Sequence, residues 1–379
     1  MIPLSVPSIA GNEWKYVKDC LDTGWISSVG SYVTDFENEV AKFSQTQYGV
    51  ACVNGSAGLH VAMQLCGVQK DDYVITPNIT FIATVNAIKY CNANPIFIDV
   101  DTDDWQMDLN VLEKFLETET EIKNEKCFYK KTGKPISALL AVHVLGNVGD
   151  LDRLMNICNQ YKLLFLEDST ESLGSYYKGK HTGGFGKMGV FSFNGNKIIS
   201  TGGGGVMVTN DESLAKRAKH ITTQAKADPM EYYHDENGYN YRLVNILAAM
   251  GLAQMEQLPG FIINKKKMDA FYRKELAGVG DIVFQKVSEE VDPNCWLFTI
   301  KTKKKVELLK YLNNLEITSR PFWVPMNQLP MHKNDIYISN NDTSNHIYDT
   351  CLSIPSSVAI TDNELNEVVL AIKTFFKTN

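Results

Sequence analysis

The chain has 379 residues, 44% of them hydrophobic and 21% charged, with a formal net charge of -7. Length and composition fit a globular protein of more than one domain. The acidic balance argues against a nucleic acid or an anionic membrane as partner, since either would call for clustered Lys and Arg.

The opening stretch, Met1 to Trp14, lacks a basic segment followed by an apolar one, so a secretory signal is not expected; nor does any run of about 18 apolar residues suggest a membrane span. Trp14, Val17 and Leu21 fall at helical intervals and predict a helix over 12–21, and Val33, Phe36, Val40 and Phe43 predict a second over 32–43. From there β-type apolar runs alternate with helical stretches: 49–53 then 57–66, 73–76 then 80–90, 95–100 then 109–116. The rhythm continues with 138–145 then 151–161, the runs 163–166 and 189–193, and 205–209 then 212–220. This alternation predicts an α/β fold with a mostly parallel sheet covered by helices on both faces. A longer helical tract follows from Tyr241, with a break expected at Pro259 and Gly260. Beyond it the strand-like runs 296–302 and 317–321 and the helical stretches 305–315 and 363–376 suit a smaller α+β domain. The expected division is therefore 1–258, a large domain with the N-terminal helices, and 259–379, a small C-terminal one.

In an open parallel sheet ligands sit at the carboxyl ends of the strands, so the residues after each run are the ones to inspect. Asn54-Gly55-Ser56-Ala57-Gly58 opens a helix after the first run, and its small residues and helix N-terminus suit a phosphate or merely an ordinary turn. Phe81 follows the second run and is either an aromatic at the same mouth or part of the core. Glu167 and Asp168 end a buried run, so one of them needs a cationic partner; a helix N-cap is the alternative for Asp168. Gly184-Phe-Gly186-Lys-Met-Gly189 matches G-x-G-x-x-G, with Asp211 downstream, but it leads into a strand rather than a helix and so does not read as a dinucleotide site. The eight cysteines show no C-x-x-C and the seven histidines no H-x-x-x-H. No metal is therefore expected, reduced thiols in the cytoplasm account for the cysteines, and His143 reads as a hydrogen-bonded pocket residue.

Lys197 lies between the apolar run 190–193 and four consecutive glycines, Gly202 to Gly205, with no acidic neighbour in sequence. It is either a solvated loop lysine or one whose pKa is lowered for Schiff-base chemistry. A phosphate cradle, an aromatic, an acid and this amine together form the set that pyridoxal phosphate requires: a phosphate anchor, a ring-stacking group, a carboxylate for the pyridine nitrogen and a Schiff-base lysine.

At these positions the chain resembles the DegT/DnrJ/StrS-type sugar-nucleotide aminotransferases of the aspartate-aminotransferase-like fold (fold type I), from Ile2-Pro-Leu-Ser-Val-Pro and Gly24-Trp-Ile-Ser27 to Leu352-Ser-Ile-Pro355. The resemblance implies that Ser56 and Ala57 in Asn54-Gly-Ser-Ala-Gly-Leu-His contact the cofactor phosphate, with Ser192 of Phe191-Ser-Phe193 as a further ligand. It implies that Phe81 stacks on the cofactor ring, that Asp168 meets its nitrogen, and that Lys197 is the catalytic amine. Asn240 of Asn240-Tyr-Arg242 would reach the phosphate of a neighbouring subunit, which implies a homodimer with shared sites. Trp25, His143 and Arg320 are candidate substrate contacts, with core or surface roles as alternatives. The chain departs from many relatives at Gly203, where Glu is common, at Asn327, where His is common, and at Glu171, where Gln or His is common. A carboxylate at Glu171 near the cofactor's phenolic oxygen is expected to be protonated or turned away.

Asp168-Ser-Thr-Glu-Ser-Leu-Gly and Phe193-Asn-Gly-Asn-Lys resemble the branch that aminates carbon 4 of UDP-linked 4-keto-6-deoxy-N-acetylglucosamine, with glutamate as donor, for surface-glycan sugars. A carbon-3 aminotransferase, a pyridoxal-phosphate sugar dehydratase and a non-catalytic regulatory relative are the alternatives. Lys197 argues against the dehydratase, whose members carry His there.

Overall fold

A computed structural model describes residues 1–228 and 230–378. The chain opens with α1 (Glu13–Thr23) and α2 (Ser31–Phe43), then runs through β1 (Tyr48–Cys52), α3 (Gly55–Leu65), β2 (Tyr73–Pro77), α4 (Ile82–Tyr90), β3 (Asn94–Ile98) and α5 (Leu109–Glu119). A hairpin of β4 (Thr120–Lys123) and β5 (Lys126–Tyr129) precedes β6 (Pro135–Val142), α6 (Leu151–Gln160) and β7 (Leu164–Asp168). The short β8 (Tyr176–Tyr177) and β9 (Lys180–His181) lead to β10 (Gly189–Ser192), β11 (Gly205–Thr209) and α7 (Glu212–Thr222). Asp108, Asp150 and Asp211 each cap the helix that follows by accepting backbone N–H bonds, which accounts for Asp211 without any ribose.

The large sheet has the order β1-β11-β10-β7-β6-β2-β3, parallel from β10 to β3. Strand β11 runs antiparallel to both neighbours and pairs Gly205 with Cys52 on one side and with Ser192 on the other. That inversion brings the end of β1, the end of β10 and the start of β11 to one point. Helices α5 and α6 cover one face, through Leu112, Phe115, Leu154 and Ile157. Helices α3 and α7 cover the other, through Leu59, Met63, Ala218 and Ile221. Strands buried on both faces are why the sequence shows continuous apolar runs rather than alternation.

Beyond a surface hairpin of β12 (Lys226–Asp228) and β13 (Tyr233–His234) comes α8, a single helix over Asn245–Leu276. The break expected at Pro259 is absent. Pro259 and Gly260 lie on the exposed side, where the carbonyl freed by the missing N–H can turn to water, while Leu258 and Phe261 are buried beside them. Helix α8 has a stretch of mean hydropathy 1.3, long enough to cross a membrane by length and composition, yet its apolar residues enter two cores of this molecule. Ala248, Met255 and Phe261 pack with α2 under the large sheet; Met268, Tyr272 and Leu276 belong to the C-terminal unit.

That unit contains β14 (Val283–Phe284), β15 (Val291–Asp292), β16 (Thr299–Lys301), α9 (Lys305–Asn314), β17 (Arg320–Pro321), β18 (Ile336–Ile338), α10 (Thr343–Thr350), β19 (Cys351–Ser353) and α11 (Asp362–Thr378). Its antiparallel sheet, β14-β16-β19-β17, packs against α9 and α11. Three crossings tie it to the rest: Ile2 enters its core, β15 pairs with β8, and β18 adds a parallel strand to the edge of β3. The elements thus interleave across residue 259 rather than separating there.

Candidate active site

Between the two sheets opens a cavity of about 610 Å³. Asn54, Ser56, Phe81, Asp168, Glu171, Ser192 and Lys197 line it from the large sheet, and Trp296, Arg320 and Trp323 from the C-terminal unit.

On the sheet side, α3 points its N-terminus into the cavity. Asn54 caps it, its carboxamide oxygen accepting from Ala57 N at 2.8 Å, so the Ala57 N–H is occupied by the cap while Gly55 and Ser56 face the opening. A Cβ on Gly55 would lie 3.0 Å from Ser192 Cβ, and one on Gly205 would lie 2.8 Å from the Asn54 carbonyl carbon. Gly205 is therefore demanded by close approach of backbone and Gly55 is tightly packed, and beside them lies a small recess bounded by Ser56, Ser192 and a helix N-terminus, the surroundings a phosphate needs. Gly203 also lines the cavity, and a Cβ there meets nothing within 4 Å.

At the end of β7 the two adjacent acids part ways. Glu167 turns away from the cavity and is fully buried. It accepts from His143 Nε2 at 3.0 Å and from the backbone N–H groups of Gly183, Phe185 and Gly186 at 2.7, 2.7 and 2.8 Å. Burial would raise its pKa, but His143 and these donors outweigh burial and hold the carboxyl below its usual range. The glycine motif set aside as a dinucleotide fingerprint is thus largely a carboxylate cradle, and Glu167 is the acid that has the cationic or neutral imidazole partner. Asp168 faces the cavity, accepting from Thr84 Oγ1 at 2.6 Å and Thr170 N at 3.2 Å.

Lys197, its side chain 11% exposed, is not isolated from acids as its sequence neighbours suggested: Glu171 Oε1 lies 3.8 Å from its Nζ. The indole of Trp296 lies on another side, its centroid 4.1 Å from Nζ. Burial pushes the Lys197 pKa down, while Glu171 and Asp168 favour the charged amine. Burial likewise pushes the Glu171 carboxyl up to about 7, against the attraction of Lys197 and one hydrogen bond from Leu145 N. Leu145 gives that bond, 2.8 Å long, from a left-handed backbone (φ 62°). For a branched side chain this conformation costs about 1–2 kcal/mol, so the surrounding core holds the donor in place.

The other candidates are dispersed. Phe81 is 52% exposed at the cavity mouth, edge-on to Trp323, and Arg320 is exposed on its rim. His143 does not line the cavity; it is 1% exposed and engaged with Glu167. Trp25 is 56% exposed and outside the cavity, its carbonyl accepting from Asn245. Asn240 is exposed on the surface, beside Thr223. Thr84, Trp296 and Trp323 were not singled out in the sequence. Thr84 stands one helical turn after Phe81 and could have been found by that spacing; the tryptophans come from the C-terminal unit, far along the chain, with no local signal.

Among the described residues one cluster, His220, Asp235 and Glu236, could present metal ligands. It is a surface group in which Glu236 takes two bonds from Arg217 and Asp235 one from His220.

The model of the DegT/DnrJ/EryC1/StrS aminotransferase family matches residues 7–373. A GDP-perosamine synthase of Escherichia coli O157:H7 is 39% identical over 334 residues, 87% of each chain, and one of Vibrio cholerae is 33% identical over 99% of each. The solved structure of S. venezuelae DesV, in complex with a ketimine intermediate, superposes with a TM-score of 0.87 at 25% identity, covering 97% of this chain and 94% of that one.

Proposed function

The chain belongs to the DegT/DnrJ/EryC1/StrS family and is a pyridoxal-phosphate-dependent sugar aminotransferase, and from that premise we propose that it transfers an amino group from glutamate to carbon 4 of a nucleotide-linked 4-keto-6-deoxy sugar. The observation that carries this reading is the meeting of Lys197, Asp168 and the Ser56–Ser192 recess in one cavity. The recess lies beside Gly55 and Gly205 and suits the cofactor's phosphate. Asp168 lines the same cavity, and Phe81 at its mouth would cover the ring. When bound, pyridoxal phosphate supplies an electron-accepting ring for carbanion chemistry.

The protein's part follows from its own groups. Asp168, oriented by Thr84 and Thr170, would keep the ring nitrogen protonated. Lys197, its pKa pushed down by burial, would tether the cofactor. Once released, it would move the proton from the donor's alpha carbon to the cofactor's aldehyde carbon and, in the second half, from there to carbon 4 of the sugar. Glu171, its carboxyl pushed up to about 7, stands beside Lys197 as an acid that is still partly protonated near pH 7, which would lessen its repulsion of an anionic phenolic oxygen. Arg320 on the rim is placed for the nucleotide's negative charge. The buried His143 acts behind Glu167, and no substrate contact is assigned to it or to Trp25.

The nucleotide has two readings. Motif resemblance around Asp168 and Lys197 favours a UDP-linked 4-keto-6-deoxy-N-acetylglucosamine, whereas the identities of 39% and 33% to GDP-perosamine synthases favour a GDP-linked sugar. Offering the enzyme glutamate with UDP-, GDP- and dTDP-linked 4-keto and 3-keto sugars, and reading the product by NMR, decides between them. Amination of 3-keto sugars alone would overturn the carbon-4 proposal.

We also propose a homodimer with shared sites, acting in the cytoplasm. Trp14 (79%), Leu21 (60%), Trp25 (56%) and Val29 (60%) are exposed apolar residues of the N-terminal segment that a second copy could cover, and the exposed Asn240 could reach across. Light scattering of the purified protein should give twice the chain mass; a monomer that is fully active would rule sharing out.

A further inference from the structure

Helix α8 contains a lysine that the proposed chemistry leaves unused. Lys265 is 1% exposed, and its Nζ donates to the backbone carbonyl of Trp296 at 2.7 Å and to that of Ser356. No carboxylate among the described residues pairs with it. A buried amine without a counter-charge is expensive, and an aliphatic side chain would fill the same volume, so the position needs its N–H donors. Burial pushes the amine down to about 7, with the Cys295 thiol as its titratable neighbour. A neutral amine still offers two N–H bonds, enough for both carbonyls in either protonation state.

Both carbonyls lead to the cavity. The Trp296 indole Nε1 donates to the Asn196 carbonyl at 2.7 Å, and its ring lies 4.1 Å from Lys197 Nζ. Ser356 N donates to the carbonyl of Leu4, which lines the cavity, and Ser356 Oγ accepts from Phe298 N. Trp296 is thus fastened at three points, its backbone carbonyl to α8, its backbone N–H to Asn294 Oδ1 and its indole edge to the segment that carries Lys197.

We infer that Lys265 is a positioning residue for the reaction: by clamping the Trp296 and Ser356 carbonyls it holds the indole face against the Lys197 amine. The inference rests on the reading of Lys197 as the reacting amine. An aromatic face stabilises a positive nitrogen, and the other charged groups facing Lys197 are Glu171 and Asp168, neither of which touches Lys265. Losing the clamp therefore lowers the pH at which the Lys197 nitrogen gives up its proton.

The test uses the cofactor-loaded enzyme and the pH midpoint of its visible absorption. Lys265→Met should lower that midpoint by about half to one pH unit. It should also reduce kcat about 5–10-fold with KM for the donor within about twofold. Trp296→Leu should give a similar shift, and the double variant Lys265→Met/Trp296→Leu no further one, since the two act through a single contact. Lys265→Gln, whose donors are retained but drawn back, should fold readily and show a smaller shift in the same direction. A wild-type midpoint in either Lys265 variant, or additive shifts in the double, overturns the proposal. Failure of the underlying reading looks different: the visible band would then persist unchanged in Lys197→Ala.

Discussion

Two glutamates four residues apart at the end of β7 are buried alike, yet their environments drive them in opposite directions. Glu167, on the closed side, has three backbone N–H donors and His143, and its carboxyl is held ionised. Glu171, on the side of the cavity, has one N–H donor and a lysine 3.8 Å away that is itself discouraged from charging, and its carboxyl is pushed up to about 7. Burial raises both; at Glu167 His143 and the backbone donors outweigh it, while at Glu171 Lys197 and one backbone donor, opposed by Asp168, do not.

The largest effect expected is on the open side. Lys197→Ala should lower kcat by about 10⁴-fold or more and remove the cofactor's lysine-linked absorption; near-normal turnover would show that the open side is not the reacting one. Asp168→Asn should leave the cofactor bound but slow turnover by about 10²–10⁴-fold, read as a fall in kcat with cofactor content unchanged.

The closed side should respond in stability instead. Glu167→Gln breaks a buried, fully donated carboxylate and should cost about 3–5 kcal/mol at pH 8 by denaturant unfolding. Because the folded pKa is lowered, that stabilisation is present above the ordinary carboxyl pKa and fades as pH falls below it. The gap between variant and wild type should therefore narrow on acidification.

The smallest effect should have the opposite sign. In cofactor-free protein, Glu171→Gln keeps an acceptor for Leu145 N and removes a carboxyl whose burial becomes costly as pH rises from about 4.5 through about 7. Its melting temperature should match the wild type at pH 4 and equal or exceed it at pH 8. A loss at pH 8 as large as that of Glu167→Gln would erase the distinction between the two sides.

Much of this was legible in the sequence. The seven principal strands and the helices between them follow from continuous apolar runs and helical spacing, because strands buried on both faces must be apolar throughout. The Asn54–Ala57 turn, Asp168, Ser192 and Lys197 were legible because each ends or follows a strand, where a sheet of this kind opens to ligands. Helix α8 runs through Pro259, against the local rule, because a proline on a solvent face removes a bond that water can replace, a distinction that depends on which face is buried. Strand β18 escaped because three residues carry too little pattern to announce a strand, and its partner β3 lies about 240 residues earlier.

What the sequence determined by itself was which groups would line the cavity, since the amine, the acid and the small-residue turn are local features at strand ends. Their electrostatic character was decided only in the tertiary structure. Lys197 had no acid within its own segment, yet folding sets Glu171 beside it and brings Trp296 to its other side from 99 residues along the chain. Of two neighbouring acids, Glu167 was removed from the chemistry by a glycine turn and a histidine that converge on it. Protonation states depend on burial and on donors within a few ångströms, and those distances do not exist until the chain has closed on itself.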